Sequence, residues 1–152
     1  MIKIAPSSDK HLESILDWLR EERSKTGEGF YCNKSIIISS HHNGEVHVAL
    51  ENEFVVGFVV DHLYSYSKGS SIDILEVHPK YRSRNIGKTL ALGTISRLFE
   101  LGAELVSVEC APRSSEGFWR KLGFKLKDDI PDSIEENPIL ILNKSTEFSP
   151  AI

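Results

Sequence analysis

The segment from Val77 to Leu90 constrains the fold more tightly than any other part of the chain. Its sequence, VHPKYRSRNIGKTL, leads from an apolar, strand-like run through a turn of cations and small polar residues into a helix. The first N–H groups of a helix have no partner inside it, and the helix dipole adds partial positive charge at the same end. Arg82, Arg84 and Lys88 add full positive charges there. The segment therefore predicts a site for an anion, with a pyrophosphate as its natural occupant.

The backbone of this turn also suits an anion site. Gly87 permits a close approach of the main chain to a phosphate, and Asn85 tolerates a left-handed conformation. Ile86 and Thr89 complete the predicted contact set at the start of the helix. A P-loop nucleotide-triphosphatase is the first alternative, because Gly87-Lys88-Thr89 matches the end of that motif. The motif needs a glycine five positions earlier, where Arg82 stands, so the alternative is disfavoured.

Hydrophobic periodicity divides the rest of the chain into strands and helices. Strands are predicted at residues 2–5, 46–50, 54–60, 72–77, 105–110, from 124 onward and at 139–142. Helices are predicted from Ser8 or Asp9 to near Gly27 and Gly29, over about 87–101, and from Ser114 or Ser115 to Leu122. Residues 30–44 are ambiguous, and Gly102 and Gly123 are placed as the residues that end two helices. The predicted order is β-α-(α)-β-β-β-α-β-α-β-β.

Composition favours one ordinary domain and argues against several classes of protein. A chain of 152 residues can bury about 70% of its unfolded surface, enough for one core. Its net charge of -4 disfavours a nucleic-acid-binding face. Apolar runs are shorter than the roughly 20 residues of a membrane span, and the first residues lack the apolar core of a signal peptide. Cys32 and Cys110 form no CxxC motif, so we expect reduced thiols in a cytoplasmic protein.

Two motifs together are similar to the landmarks of one enzyme family. Arg82-Ser83-Arg84-Asn85-Ile86-Gly87 follows Val77-His78-Pro79-Lys80-Tyr81, and Phe118-Trp119-Arg120-Lys121-Leu122-Gly123-Phe124 comes later in the chain. The first resembles the Arg/Gln-x-x-Gly-x-Gly/Ala signature of the GNAT superfamily of acyl-CoA-dependent N-acetyltransferases, and the second resembles that family's later aromatic landmark. The resemblance covers residues 1–144, and residues 145–152 are expected to form a short C-terminal tail.

The resemblance implies a fold, a co-substrate and a reaction. The fold is α/β: a mixed, mostly antiparallel twisted sheet of six to seven strands with helices on both faces. The strand that ends at Val77 and the strand 105–110 are expected to splay apart. The pantetheine of acetyl-CoA would lie in that gap and pair with the backbone of Leu75 and Val77, as an added strand does. The acetyl group would then pass directly to a primary amine, without a metal.

The chain departs from the family pattern at two positions. Asn85 replaces the first signature glycine, which is tolerable because Asn readily adopts a left-handed backbone. Trp119 stands where many members carry a tyrosine that acts as general acid, and an indole does not supply a proton in that way. Trp119 is instead predicted to form a wall of the cofactor cleft. Tyr64 and Tyr66 are the candidate replacement acids, and Tyr64 is carried forward as the site residue.

Two carboxylates on the strand before the turn are candidates to accept the proton of the amine. Asp73 lies between Ile72 and Ile74 and is the first candidate, because similar enzymes carry an acidic residue near this place. Glu76 has the opposite strand parity and is the second candidate.

Several alternatives stay open in the sequence. A non-catalytic GNAT-like module that binds acyl-CoA, as a sensor or degenerate subunit, is supported by Trp119. The acceptor is a small molecule or a peptide amine, and the acidic run Asp128–Glu136 would favour a cationic one. His41, His42 and His47 lack metal-ligand spacing, so no metal is predicted. Nucleic-acid and membrane partners are not expected. Homodimers are common in such folds, but no feature of the sequence fixes the oligomeric state.

Overall fold

The structure is a computed structural model, and it describes residues 1–27, 30–127 and 137–144. The strands are β1 (Lys3–Pro6), β2 (Val46–Glu51), β3 (Phe54–Leu63), β4 (Gly69–Val77), β5 (Leu105–Glu109), β6 (Lys125–Leu126) and β7 (Ile139–Asn143). The helices are α1 (Asp9–Thr26), α2 (Lys34–His42), α3 (Ile86–Glu100) and α4 (Glu116–Lys121). The predicted acidic run Asp128–Glu136 and the predicted tail from Ser145 lie outside the described residues.

Within the described ranges the strands form one seven-stranded sheet in the order β1-β2-β3-β4-β5-β7-β6. β4 and β5 pair in parallel, while the pairs β1–β2, β2–β3, β5–β7 and β6–β7 are antiparallel. The predicted α/β fold with a mixed, mostly antiparallel sheet is therefore confirmed, as is the predicted order of elements. The ambiguous segment 30–44 contains a single 3₁₀ turn and then α2.

The chain divides into two compact units, and residues 1–60 and 74–92 make up the first. Helix α1 begins at a reciprocal cap: the Ser8 hydroxyl accepts the His11 N–H (3.2 Å), and His11 Nδ1 accepts the Ser8 N–H (3.0 Å). Three residues of α1 then enter the core of this unit. The core is formed chiefly by Ile15, Trp18, Leu19, Ile37, Val46, Val48, Leu50, Val55, Phe58, Val60 and Ile74.

The second unit comprises residues 61–73 and the described residues from 93 onward. Its strands pair β5 with the start of β4 and with β7, and β7 with β6. Strand β4 begins at Gly69, three residues before the prediction from apolar pattern. The strand extends this far because Ser70, a polar residue, is fully buried in it: the Ser70 hydroxyl donates to the Leu105 carbonyl (2.8 Å). A search for alternating apolar residues cannot find a strand that begins with buried polar residues.

Helices α3 and α4 both end, within the second unit, in Schellman motifs at the predicted glycines. At the end of α4 the Gly123 N–H donates to the Arg120 carbonyl (3.0 Å), and the Phe124 N–H donates to the Trp119 carbonyl (3.2 Å). The rings of Trp119 and Phe124 also contact each other, with centroids 5.3 Å apart. Gly102 ends α3 with the equivalent pair of hydrogen bonds. Among the described residues no helix is both long and apolar enough to cross a membrane.

Replacing Gly123 with alanine should destabilise the protein. Gly123 has a φ of 104°, and an added Cβ would lie 3.4 Å from Leu142. We expect a loss of about 1–2 kcal/mol in the free energy of unfolding, measured by urea denaturation. Gly117, in the first turn of α4, has open space around it and is the matched control. Gly117→Ala should stabilise by up to about 1 kcal/mol, and equal effects of the two changes would contradict the cap assignment.

Candidate functional site

The turn between β4 and α3 has the backbone that the sequence predicts. Residues Pro79–Tyr81 form a 3₁₀ turn, and two residues after it are left-handed, Ser83 (φ 68°) and Asn85 (φ 61°). The Thr89 N–H donates to the Asn85 carbonyl (3.1 Å), so Asn85 stands at the start of α3. The N–H groups of residues 86–88 therefore have no partner within the helix. That an anion binds to these N–H groups stays a prediction.

Gly57 on β3 sets how closely the start of α3 approaches the sheet. A Cβ at this position would lie 2.9 Å from Leu90 Cδ1 and 3.1 Å from the Glu76 carbonyl oxygen. Ile86 and Leu90 are both buried. A larger residue here would require the Leu90 side chain and the backbone at Glu76 to shift, so Gly57 allows α3 and β4 to pack closely against β3.

Two of the three cations predicted to bind the anion have carboxylate partners in the structure. Arg82 Nη2 lies 3.0 Å from Glu22 Oε2 and 3.2 Å from Glu76 Oε1. Arg84 forms a bidentate pair with Glu51, at 2.7 and 3.2 Å. Lys88 is exposed on the first turn of α3. That these three bind a phosphate stays a prediction.

Glu22, Glu76 and Arg82 form a carboxyl cluster in the first unit. Glu76 is 7% exposed, and burial, followed by its hydrogen bond and proximity to Glu22, raises the pKa of Glu76 to about 8. Arg82 acts in the opposite direction. Glu22 Oε1 and Glu76 Oε2 are buried and have no hydrogen-bond partner among the described residues. One proton held between the two carboxyl groups accounts for both oxygens.

A cavity of about 230 Å³ lies beside this cluster and within the first unit. Its lining comes from α1 and from the turn after β4, and includes Trp18, Glu22, His78, Pro79, Lys80 and Arg82. Burial lowers the pKa of His78, with a further contribution from Lys80. Sequence reasoning missed Glu22, because it is 60 positions from Arg82 and belongs to no motif.

A second polar cluster, in the second unit, connects two of the predicted catalytic residues. The Ser71 hydroxyl donates to Asp73 Oδ1 (2.8 Å), and the Tyr64 hydroxyl donates to Ser71 Oγ (3.3 Å). Asp73 is exposed and Ser71 is buried. Sequence reasoning did not select Ser71, although residues 71 and 73 share one face of a strand. Glu76 has the opposite parity and belongs to the carboxyl cluster instead.

Leu75, Val77 and Trp119 are the remaining residues predicted to contact the co-substrate. The β4–β5 ladder runs from Gly69–Leu105 to Ile72–Val108, and β4 continues to Val77, so Leu75 and Val77 lie beyond its last pair. Trp119 is 6% exposed and packs edge-to-face on Phe118 and Phe124. That Trp119 forms a wall of the cofactor cleft stays a prediction.

His41 and the two cysteines have structural rather than metal-binding environments. His41 Nε2 donates to Asp9 Oδ1 (2.8 Å), and His41 Nδ1 lies 2.7 Å from Ser7 Oγ, so His41 joins α2 to the start of α1. In the part of the chain that the structure describes, no group of three or more metal-ligating side chains is found. Cys110 is buried, and burial raises the pKa of its thiol, while Cys32 is exposed.

Comparison with known proteins identifies the family. The family model for acetyltransferases of the GNAT family matches residues 12–124. The chain belongs to the GNAT family. A search of curated proteins returns no match.

Solved GNAT structures have a similar fold. One is the PaiA N-acetyltransferase of Thermoplasma acidophilum in complex with coenzyme A (TM-score 0.71, 20% identity, 94% of this chain and 99% of that one). Another is a GNAT acetyltransferase of Brucella melitensis in complex with acetyl-CoA (TM-score 0.71, 14% identity, 98% and 92%). A third comes from Staphylococcus aureus (TM-score 0.69, 17% identity, 94% and 99%). At these identities the likeness shows the fold alone.

Replacing Glu76 with glutamine should change how stability depends on pH. The folded-state pKa of about 8 lies above the ordinary 4.5, so the folded protein keeps a proton that the unfolded chain loses between these values. The contribution of this proton to the free energy of unfolding is therefore complete below about pH 4.5 and is lost as the pH rises through about 8. Glutamine does not ionise, so the variant does not lose this contribution. The free energy of unfolding of Glu76→Gln should therefore rise relative to that of the wild type between pH 5 and 9. A difference that is constant over this range would contradict the assignment.

Proposed function

We propose that this GNAT protein transfers the acetyl group of acetyl-CoA to a primary amine. The observation that carries the proposal is the start of α3, where the left-handed Asn85 leaves three main-chain N–H groups available beside Lys88. A diphosphate is the group that such a helix start accepts. The GNAT family match supports the same co-substrate, as do the structural neighbours crystallised with coenzyme A or acetyl-CoA.

The rest of the co-substrate would follow β4. Leu75 and Val77 lie beyond the last pair of the β4–β5 ladder, so their backbone is the part of β4 that we assign to the amide groups of pantetheine. An amide-bearing chain can pair there as an added strand does. This arrangement would bring the thioester near the strand that carries Asp73. No metal enters this scheme.

The transfer needs one proton removed and one returned. The amine nitrogen forms a bond to the thioester carbon, the carbon–sulfur bond breaks, and the thiolate leaves. An alkylammonium has a pKa of about 10.4, so the acceptor must lose a proton before it attacks. We assign that proton to Asp73, which Ser71 orients at 2.8 Å. Tyr64, bonded to Ser71, or a water molecule is the group we assign to return a proton to the thiolate.

The alternative is a GNAT-like module that binds acyl-CoA without transferring the acetyl group. Trp119 favours it, because it stands in the place of the tyrosine that many family members use as general acid. The departing thiol has a pKa of about 8.5, so it can leave without a strong acid. Trp119 is therefore compatible with transfer. Binding of acetyl-CoA without acetylation of any amine in a broad panel would favour the non-catalytic module over the acetyltransferase.

Replacing Asp73 with asparagine tests the catalytic assignment. The change keeps the hydrogen bond from Ser71 but removes the base, so kcat on any amine that is acetylated should fall by roughly 100-fold. The defect should shrink as the pH rises, because more acceptor is then unprotonated. Affinity for acetyl-CoA should not change.

Glu76→Gln is the matched comparison on the same strand. It should retain most of the activity at neutral pH, since Glu76 lies in the carboxyl cluster. Full activity of Asp73→Asn together with a large loss in Glu76→Gln would transfer the role of base to Glu76.

A further inference from the structure

A chain of two hydrogen bonds in the second unit joins the residue assigned as base to a residue assigned as acid. The Tyr64 hydroxyl donates to Ser71 Oγ (3.3 Å), and the Ser71 hydroxyl donates to Asp73 Oδ1 (2.8 Å). A hydroxyl has one proton to donate, so both protons of the chain point toward Asp73. A change in the protonation of Asp73 therefore reaches Tyr64 through Ser71.

Ser71 has the environment that a proton relay requires. It is 6% exposed, so bulk water has little access to it, and its hydroxyl both donates and accepts. Asp73 is exposed, and among the described residues no hydrogen bond to its second oxygen, Oδ2, is found. Oδ2 can therefore meet an amine from solvent while Oδ1 stays bonded to Ser71.

The ring of Tyr64 is held by contacts on two sides. It packs edge-to-face on His62, with ring centroids 4.9 Å apart. Gly69 lies so close that a Cβ there would be 3.3 Å from Tyr64 Cδ2, and the Tyr64 N–H donates to the Gly69 carbonyl (3.1 Å). Tyr64 is nevertheless 39% exposed. Its hydroxyl proton can thus turn from Ser71 toward a ligand without movement of the ring.

We propose that Ser71 passes a proton from Asp73 to Tyr64, so that Tyr64, rather than water, protonates the departing thiolate. The inference rests on the proposed function, in which Asp73 takes a proton from the acceptor amine. Ser71 is a positioning residue in this scheme, because it acts through Asp73 and Tyr64. The bond of 3.3 Å is long for a hydroxyl, but catalytic hydrogen bonds commonly shorten only when the substrates are bound.

The protons and electrons of the relay balance over one turnover. The ammonium gives one proton to Asp73, and a half-turn of the carboxyl group presents that proton to Ser71, which now donates to Tyr64. The amine lone pair bonds the thioester carbon, the carbon–sulfur pair leaves with sulfur, and a second nitrogen proton passes to water. The thiolate takes the Tyr64 proton while Asp73 and Ser71 each pass one proton along. All three groups return to their starting state.

A double-mutant cycle of Ser71→Ala and Tyr64→Phe tests the relay. Release of the thiol of CoA from acetyl-CoA is measured with benzylamine, with Nα-acetyllysine and with water alone as acceptor. On the acceptor that the wild type uses fastest, each single change should lower kcat roughly tenfold or more. Because both changes break the same chain, the double variant should lose no more than about twofold beyond the larger single loss. Losses that multiply would overturn the relay, since Ser71 and Tyr64 would then act independently.

Ser107 on β5 supplies the matched control. It is the partner of Ser71 in the parallel ladder between β4 and β5, and its hydroxyl donates to the Ser70 carbonyl (3.3 Å) rather than to a group of the relay. Ser107→Ala removes the same atom from the neighbouring strand and should keep kcat within about twofold of the wild type. An equal loss in Ser107→Ala and Ser71→Ala would overturn the relay. Affinity for acetyl-CoA should be the same in all of these variants.

Failure of the relay and failure of the proposed function give different results. Full kcat in Ser71→Ala or in Tyr64→Phe would overturn the relay and leave acetyl transfer with Asp73 as base intact. A wild-type chain that binds acetyl-CoA but releases thiol to none of the three acceptors would favour the non-catalytic module and overturn the relay with it. If Ser71→Ala fails to fold, Tyr64→Phe still decides, because the relay ends at the Tyr64 hydroxyl.

Discussion

The start of α3 depends on two left-handed residues, Ser83 and Asn85, and the remaining features of the site follow from them. Both residues lie between the 3₁₀ turn at Pro79–Tyr81 and the first residue of α3, where the chain changes direction. Side chains other than glycine and asparagine adopt them at a cost of about 1–2 kcal/mol per residue. The buried packing of Ile86 and Leu90 beneath Gly57 holds the helix start in place. The three available N–H groups are the consequence.

The carboxylates around the turn decide which cations are available to a phosphate. Arg84 and Glu51 form a partly exposed pair, and such pairs contribute about 0–1 kcal/mol, so a phosphate can displace Glu51. Arg82 is different. It is bonded to the buried Glu76 carboxyl group and to the mostly buried Glu22 carboxyl group, and it donates through Nε to the Val77 carbonyl (3.1 Å), so moving it would leave both carboxyl groups uncompensated. Arg84 and Lys88 are therefore the cations that we expect to reach the co-substrate, while Arg82 holds the turn.

Features that depend on residues close together in the sequence, such as helix ends and turns, are the ones that the sequence predicts best. The ends of α3 and α4 follow from glycines with positive φ, and the left-handed Asn85 follows from its place before the helix. Strand β4 begins earlier than predicted because the buried Ser70 hydroxyl donates to the Leu105 carbonyl on β5. The carboxyl cluster was not predictable in this way: Glu22 and Arg82 meet only in the folded chain, and their spacing carries no pattern. The link from Tyr64 through Ser71 to Asp73 is an intermediate case, since both candidate residues were selected but their connection was not.

The measurement that tests the account most directly is calorimetric titration of acetyl-CoA into Gly87→Val. The substitution places a branched side chain at the second residue of α3, where the diphosphate would meet the available N–H groups. Gly117→Val makes the same change at the second residue of α4 and is the control. Gly87→Val should lose at least about tenfold in affinity while Gly117→Val binds as the wild type does, with both variants folded by circular dichroism. Wild-type affinity in Gly87→Val would contradict it, because the anion would then bind elsewhere.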